Sequence, residues 1–213
     1  NNWMSEQFEY PATPLDRGKV LTKEDLDRLG GFARYRDVDG DAIGWRTLPG
    51  TKHPKASYFT RGSGHNDAAG YTEKPDEYQA IMDRLTRKFE NARKLVPAPV
   101  MVKSTGSKIG FLAYGTTDFA LRESLDQIER RHGVKTDYMR LRAYPFAHEV
   151  HDFVAAHERV YIVEQDRDAQ LASLLKLDLP ADQVTKLRSI LHYNGLPVDA
   201  ETITEEFVTR EGL

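Results

Sequence analysis

Apolar residues run almost unbroken through Ile109–Tyr114 (IGFLAY), the pattern of a strand covered on both faces. A helical rhythm follows in TDFALRESLDQIERRHG (117–133), with Gly133 as its stop. TDYMRLRAYPF (136–146) reads as a second strand, EVHDFVAAHE (149–158) as a helix and RVYIVEQ (159–165) as a third strand. Strand alternating with helix implies parallel strands joined by right-handed crossovers, an α/β unit.

The flanking patterns are weaker. LTKEDLDRLGG (21–31) predicts a short amphipathic helix, with Thr22 as N-cap, Asp25 three residues on, and Gly30-Gly31 as its end. Residues 75–96 predict a longer helix with Pro75 in its first turn. Tyr78, Ile81, Met82, Leu85, Phe89 and Ala92 share one face of it. Between these helices, residues 32–72 are rich in Gly, Asp and Pro, and only ASYFTRG (56–62) resembles a strand. A loop of that length is usually functional or interface-forming. Residues 1–20 read as an extended strap and VPAPVMVKSTGSK (96–108) as a linker. ADQVTKLRSILHYNGLPVDAETITEEFVTREG (181–212) reads as two short helices around an Asn-Gly turn.

Composition narrows the function classes. The 213 residues leave room for one large or two small domains. A net charge of −3 gives no reason to expect nucleic acid or an anionic membrane as partner. No apolar run approaches the ~18 residues of a membrane span, and no secretory signal is visible. The chain has no cysteine, which excludes a disulfide scaffold, a thiol nucleophile and an iron–sulfur cluster held by its own thiolates. That pattern suits the cytoplasm. The chain opens on Asn1 and reads as a processed protein or a fragment.

Candidate chemistry gathers at strand ends and in the long loop. Gly115-Thr116-Thr117-Asp118 lies where a strand turns into a helix. Its free N–H groups suit an anion or a partner contact, while Thr117 or Asp118 equally fits a plain N-cap. Glu164-Gln165-Asp166-Arg167-Asp168 ends the third strand and faces the same edge, where ligands of open α/β sheets collect. Its plainer reading is a solvated turn. Arg46, Lys52, His53, Lys55, Arg61 and His65 make the Gly-rich loop cationic, suited to a carboxylate, a phosphate or an acidic partner surface. Asp37, Asp39 and Asp41 alternate as in a calcium loop, but Ala42 and Leu48 stand where that loop needs Gly and Glu. Gly40-Asp41 with Asn66 is rejected as a diphosphate–magnesium motif. His148, Glu149 and His151 lack the spacing of a zinc helix and read as structural or solvated.

Ordered motifs along nearly the whole chain resemble one family. They are Asn1-Asn2-Trp3-Met4-Ser5, Tyr35, Arg46-Thr47-Leu48-Pro49-Gly50-Thr51, Ser57-Tyr58-Phe59 with Arg61-Gly62, and His65. They continue through Tyr114-Gly115-Thr116-Thr117, Leu141-Arg142-Ala143-Tyr144-Pro145-Phe146, Val163–Gln170 and Tyr193-Asn194-Gly195-Leu196-Pro197. The chain resembles the C-terminal part of the α subunit of 2-oxoglutarate:ferredoxin oxidoreductase, a 2-oxoacid:ferredoxin oxidoreductase. The resemblance implies decarboxylation of a 2-oxoacid on thiamine diphosphate, with electrons passed through an iron–sulfur cluster to ferredoxin and an acyl-CoA formed. It implies that residues 1–97 end a pyrimidine-binding-type domain and that 98–178 form a domain like the C-terminal domain of transketolase, followed by a helical tail, 179–213. A β subunit would carry the diphosphate, Mg2+ and the cluster. The family's activating glutamate and substrate-carboxylate arginine match no residue here, so no catalytic residue is assigned and the chain alone is expected to be inactive. Arg46, Arg61 and His65 are then expected at the active-site border, and Gly115, Thr116, Thr117, Glu164 and Arg167 at an interface or anion site. The alternative is a stand-alone α/β module that binds an anion or CoA.

Overall fold

The computed structural model describes residues 7–60, 62 and 64–213. They divide into two compact units, 8–95 and Val96–Leu213.

The second unit is built on a five-stranded sheet. Its elements are β1 (Val100–Lys103), β2 (Ile109–Tyr114), α3 (Thr117–His132), β3 (Asp137–Leu141), α4 (His148–Ala156), β4 (Arg159–Glu164), α5 (Gln170–Asp178), α6 (Ala181–Val184), β5 (Leu187–Leu191) and α7 (Ala200–Glu211). The order across the sheet is β1-β3-β2-β4-β5. β2 lies parallel to β3 and β4, and β4 parallel to β5; β1 alone runs antiparallel, along β3. This is the mostly parallel α/β sheet the alternation predicts.

The two-residue period of β-strands divides the core between the sheet's faces. Leu112, Met139 and Ile162 point to one face and pack with Val150, Phe153, Val154, Leu171 and Leu175 of α4 and α5. Phe111, Tyr138 and Tyr161 point to the other, against Leu121, Leu125 and Ile128 of α3 and Ile203 and Phe207 of α7. Gly110 lets α4 approach closely: a Cβ there would lie 2.7 Å from the Phe153 ring. A buried pair, Asp137 and His157, closes the amino end of the sheet at 3.3 Å.

Two strands differ from the sequence expectation. The linker 96–108 contains β1, a four-residue edge strand. The expected helical tail contains β5, which pairs with β4 from Val160↔Leu187 to Glu164↔Leu191. Only one long helix follows the Asn194-Gly195 turn, and α6 is a single turn.

The first unit holds α1 (Lys23–Leu29) and α2 (Pro75–Ala92) around a long irregular segment. Thr22 and Asp25 form the expected capping box, and Gly30 ends α1 at φ 69°. ASYFTRG forms no strand among its described residues; Thr47 Oγ1 donates to the Ala56 carbonyl at 2.6 Å instead. The core is small: Leu21, Leu26 and Ala56, backed by Phe32 and Trp45. The expected apolar face of α2 is not a buried face. Tyr78, Met82 and Phe89 are exposed, and the residue that α2 buries is Arg84.

Candidate functional site

Two loops meet at the carboxyl edge of the sheet, and one side chain ties them together. β2 ends in a turn at Gly115, whose φ of 61° suits glycine. Thr116 then stands at the N-cap of α3 without a side-chain cap bond. Thr117 is buried, and its Oγ1 accepts from Gln165 Nε2 at 3.0 Å. The Gln165 carbonyl accepts the Val198 N–H at 3.2 Å, so this one side chain links the ends of β2 and β4 to the segment before α7.

Asp118 is no cap. It is 3% exposed and receives the Tyr138 hydroxyl at 2.9 Å and Arg122 Nε at 3.0 Å, with Arg140 3.4 Å away. That corrects the capping reading of Thr117 and Asp118. Burial, with Asp118 adding to it, pushes the Tyr138 phenol well above its usual range.

Glu164 is fully buried and accepts the N–H groups of Leu171 and Ala172 at 2.5 and 3.2 Å. It therefore caps α5 from the end of β4. Burial raises its pKa, and the carboxylate of Asp166 adds to the shift. Asp166 Oδ1 receives the N–H groups of Asp168 and Gln170 at 2.9 and 3.3 Å. Arg167 turns outward and pairs with Asp168 through Nε and Nη2 at 2.8 and 3.3 Å. The structure thus brings Gly115, Thr116, Thr117 and Glu164 to one edge, with Arg167 beside them but engaged with its neighbour.

A cleft of 480 Å³ opens at this edge on the α4–α5 side. Tyr114, Leu141, Tyr144, Phe146, Leu171 and Leu174 form its apolar walls, and Arg142 and Gln170 are its polar members. These wall residues lie outside the predicted site set. Their signal was the aromatic and proline content of Leu141–Phe146; the Tyr144–Pro145 bond is cis.

In the first unit the predicted cations take separate partners. Arg46 bridges to Val20, and its Nη2 donates to the Arg17 carbonyl. Lys55 Nζ donates to the Gly30 carbonyl at 2.7 Å, and His53 lies 3.3 Å from Asp27. His65 stacks on Tyr35 at 4.1 Å and bridges to Tyr71. Arg61 lies outside the described residues. Arg46 and His65 thus engage different partners.

Asp37, Asp39 and Asp41 do converge, the one acidic group among the described residues with metal-ligand spacing. Lys19 lies among them, with Nζ 2.6 Å from Asp39 and 2.5 Å from Asp41. The chain's own cation thus offsets part of the cluster's charge. Asn66 Oδ1 closes a turn by accepting the Ala68 and Gly70 N–H groups at 3.1 and 3.0 Å. His151 pairs with Asp178 at 2.9 Å, the structural role expected of it. No helix among the described residues is long and apolar enough to cross a membrane.

No family model matches the chain. It is similar to the 2-oxoacid:ferredoxin oxidoreductase 1 α subunit of Sulfurisphaera tokodaii, 24% identical over 95% of this chain. It is equally similar, at 24% over 95%, to the 2-oxoacid:ferredoxin oxidoreductase α subunit of a Sulfolobus species. The chain spans 31% and 30% of the length of these relatives. Among solved structures, its fold resembles a 2-oxoglutarate:ferredoxin oxidoreductase from Magnetococcus marinus with 2-oxoglutarate, coenzyme A and succinyl-CoA bound. The TM-score is 0.71 at 20% identity, over 86% of this chain and 31% of that one. The resemblance read from the sequence is thus to the same proteins that the comparisons return, subunits of an oxidoreductase.

Proposed function

We propose that this chain is part of the α subunit of a cytoplasmic, thiamine diphosphate-dependent 2-oxoacid:ferredoxin oxidoreductase, with 2-oxoglutarate as its 2-oxoacid. The observation that carries the reading is similarity to named α subunits over 95% of the chain. The first unit then ends a pyrimidine-binding-type domain, and the sheet unit is the transketolase C-terminal-like domain.

The residues present do not fit the family's cofactors. The chain has no thiolate for a cluster. Its convergent carboxylates already hold Lys19, which leaves them ill suited to a diphosphate-bound Mg2+. No chemical step is therefore assigned to this chain. A β subunit would supply the thiamine diphosphate, Mg2+ and cluster sites, with ferredoxin as electron acceptor and CoA as acyl acceptor.

The chain's own contribution is assembly and the active-site border. Gln165 supports the first role, because it locks two strand-end loops into one rigid edge. His65, held by stacking on Tyr35, supports the second, and Arg46 and Arg61 are assigned to the same border. The test is reconstitution of the chain with its partner subunits, assayed for CoA- and 2-oxoacid-dependent reduction of ferredoxin. Activity that requires this chain supports the proposal; a complex equally active without it overturns the reading.

A further inference from the structure

His157 ends α4 and is 5% exposed. Both of its ring nitrogens meet oxygen acceptors. Nδ1 lies 2.6 Å from the Phe153 carbonyl, and Nε2 lies 3.3 Å from Asp137 Oδ2. A carbonyl oxygen has no proton to give, so Nδ1 is the donor there. In a neutral ring Nε2 would then be bare, and its lone pair would face Asp137. Asp137 is itself buried and surrounded as an anion. Its Oδ1 accepts the Thr105 N–H at 2.5 Å and the Thr105 hydroxyl at 2.7 Å. Burial pushes its pKa up, but these bonds, with His157 and the Ser107 N–H, hold it below the usual carboxylate value.

The surroundings favour a cation on this ring. A cleft of 450 Å³ adjoins His157 and Asp137; Glu149 and Asp152 of α4 line it, and no lysine or arginine is among its lining residues. The cations next along the chain are engaged elsewhere. Lys108 lies 2.6 Å from Glu158, and Arg159 lies 2.9 Å from Glu211. From β2, Gly110 stands against the ring: a Cβ there would lie 3.1 Å from His157 Cδ2. The Phe153 ring lies 4.2 Å from the imidazole. These contacts pack the ring in place.

We propose that His157 is a buried imidazolium and a pH-sensitive latch, with Nδ1–H on the Phe153 carbonyl and Nε2–H on the Asp137 carboxylate. The latch ties the end of α4 to β3. Through Thr105 it also ties in the segment between the edge strand β1 and β2. A rise in pH that sends the Nε2 proton to solvent sets a lone pair against a carboxylate. In a site with little water that repulsion is strong. The ring and Asp137 then separate, and the hold on Thr105 loosens. The latch is thus made on the acid side of this step and released on the alkaline side. The inference does not depend on the oxidoreductase reading.

The test is NMR of the His157 ring nitrogens in the full chain, from about pH 5 to about pH 9, with hydrogen exchange of the Thr105 amide followed in parallel. At about pH 7 both ring nitrogens are expected to carry hydrogen. Loss of the Nε2 hydrogen at higher pH is expected to lower the protection of Thr105 by about tenfold or more, corrected for the intrinsic exchange rate. H157Q has no ionisable ring and is expected to remove that step. A ring nitrogen without hydrogen at about pH 7 overturns the proposal, as does a ring that never releases its second hydrogen. Thr105 protection that ignores the ring's titration, or a folded H157Q that keeps the step, overturns it too. Should H157Q fail to fold, the ring and exchange readings of the unaltered chain decide.

Discussion

Glu164 holds the first turn of α5 through Leu171: the buried carboxylate at the end of β4 takes the Leu171 N–H at 2.5 Å and that of Ala172 at 3.2 Å. A helix start otherwise leaves such donors unpaired. E164Q keeps the shape but replaces one carboxylate oxygen by a donor. It is expected to destabilise the chain by about 2 kcal/mol, the scale of one hydrogen bond to a charged group, read by urea unfolding. The variant also loses a pH slope. Burial raises the pKa of Glu164, so the native state binds its proton more tightly than the unfolded chain. Stability from this group therefore falls as pH rises from about 4 through the raised native value, and E164Q should remove that fall.

Asp137 slopes the other way. Burial pushes its pKa up, but the Thr105 N–H and hydroxyl and His157 outweigh burial and leave it lowered. Its contribution is present above about pH 4 and is lost as pH falls through the lower native value. D137N should flatten the acid limb of a stability–pH curve, whereas an unchanged acid limb would remove Asp137 as its source.

Gly110→Ala should cost about 1–3 kcal/mol by overpacking, since its new Cβ would meet Phe153 carbons at 2.7 and 2.8 Å. Thermal melting checks it. A wild-type melting temperature would mean that α4 can shift outward freely.

Phe207→Ala should cost about 3–5 kcal/mol, because the ring is fully buried against Phe111 and Tyr161 at 5.4 and 5.2 Å. α7 is tied at its end as well: Glu211 accepts the Tyr161 hydroxyl and Arg159 Nη2 at 2.5 and 2.9 Å. Removal of residues 200–213 should therefore unfold the sheet unit. A truncated chain with an unchanged melt would make α7 an appendage.

The legible parts of the fold were those whose signal is local. β2 and β4 announce themselves by continuous apolar runs, and α3 by its rhythm and Gly133 stop. β1 was hidden because four residues at an edge, half exposed, carry little periodicity. β5 was hidden because Arg188 and Ser189 interrupt its apolar pattern, and only pairing with β4 makes it a strand. The shared edge of Gly115–Thr117 and Glu164 followed from topology. Arg84 and Asp118 could not follow from pattern, since a charge among apolar residues reads as solvated. Their burial depends on Ala42, Tyr35, Tyr138 and Arg140, all distant in sequence.

The central claim is membership in a multi-subunit oxidoreductase. Affinity capture of this chain from its source cells, with mass spectrometry of what accompanies it, tests that claim most directly. The account predicts stoichiometric recovery of a Cys-containing, thiamine diphosphate-binding subunit. Recovery of the chain alone would contradict it.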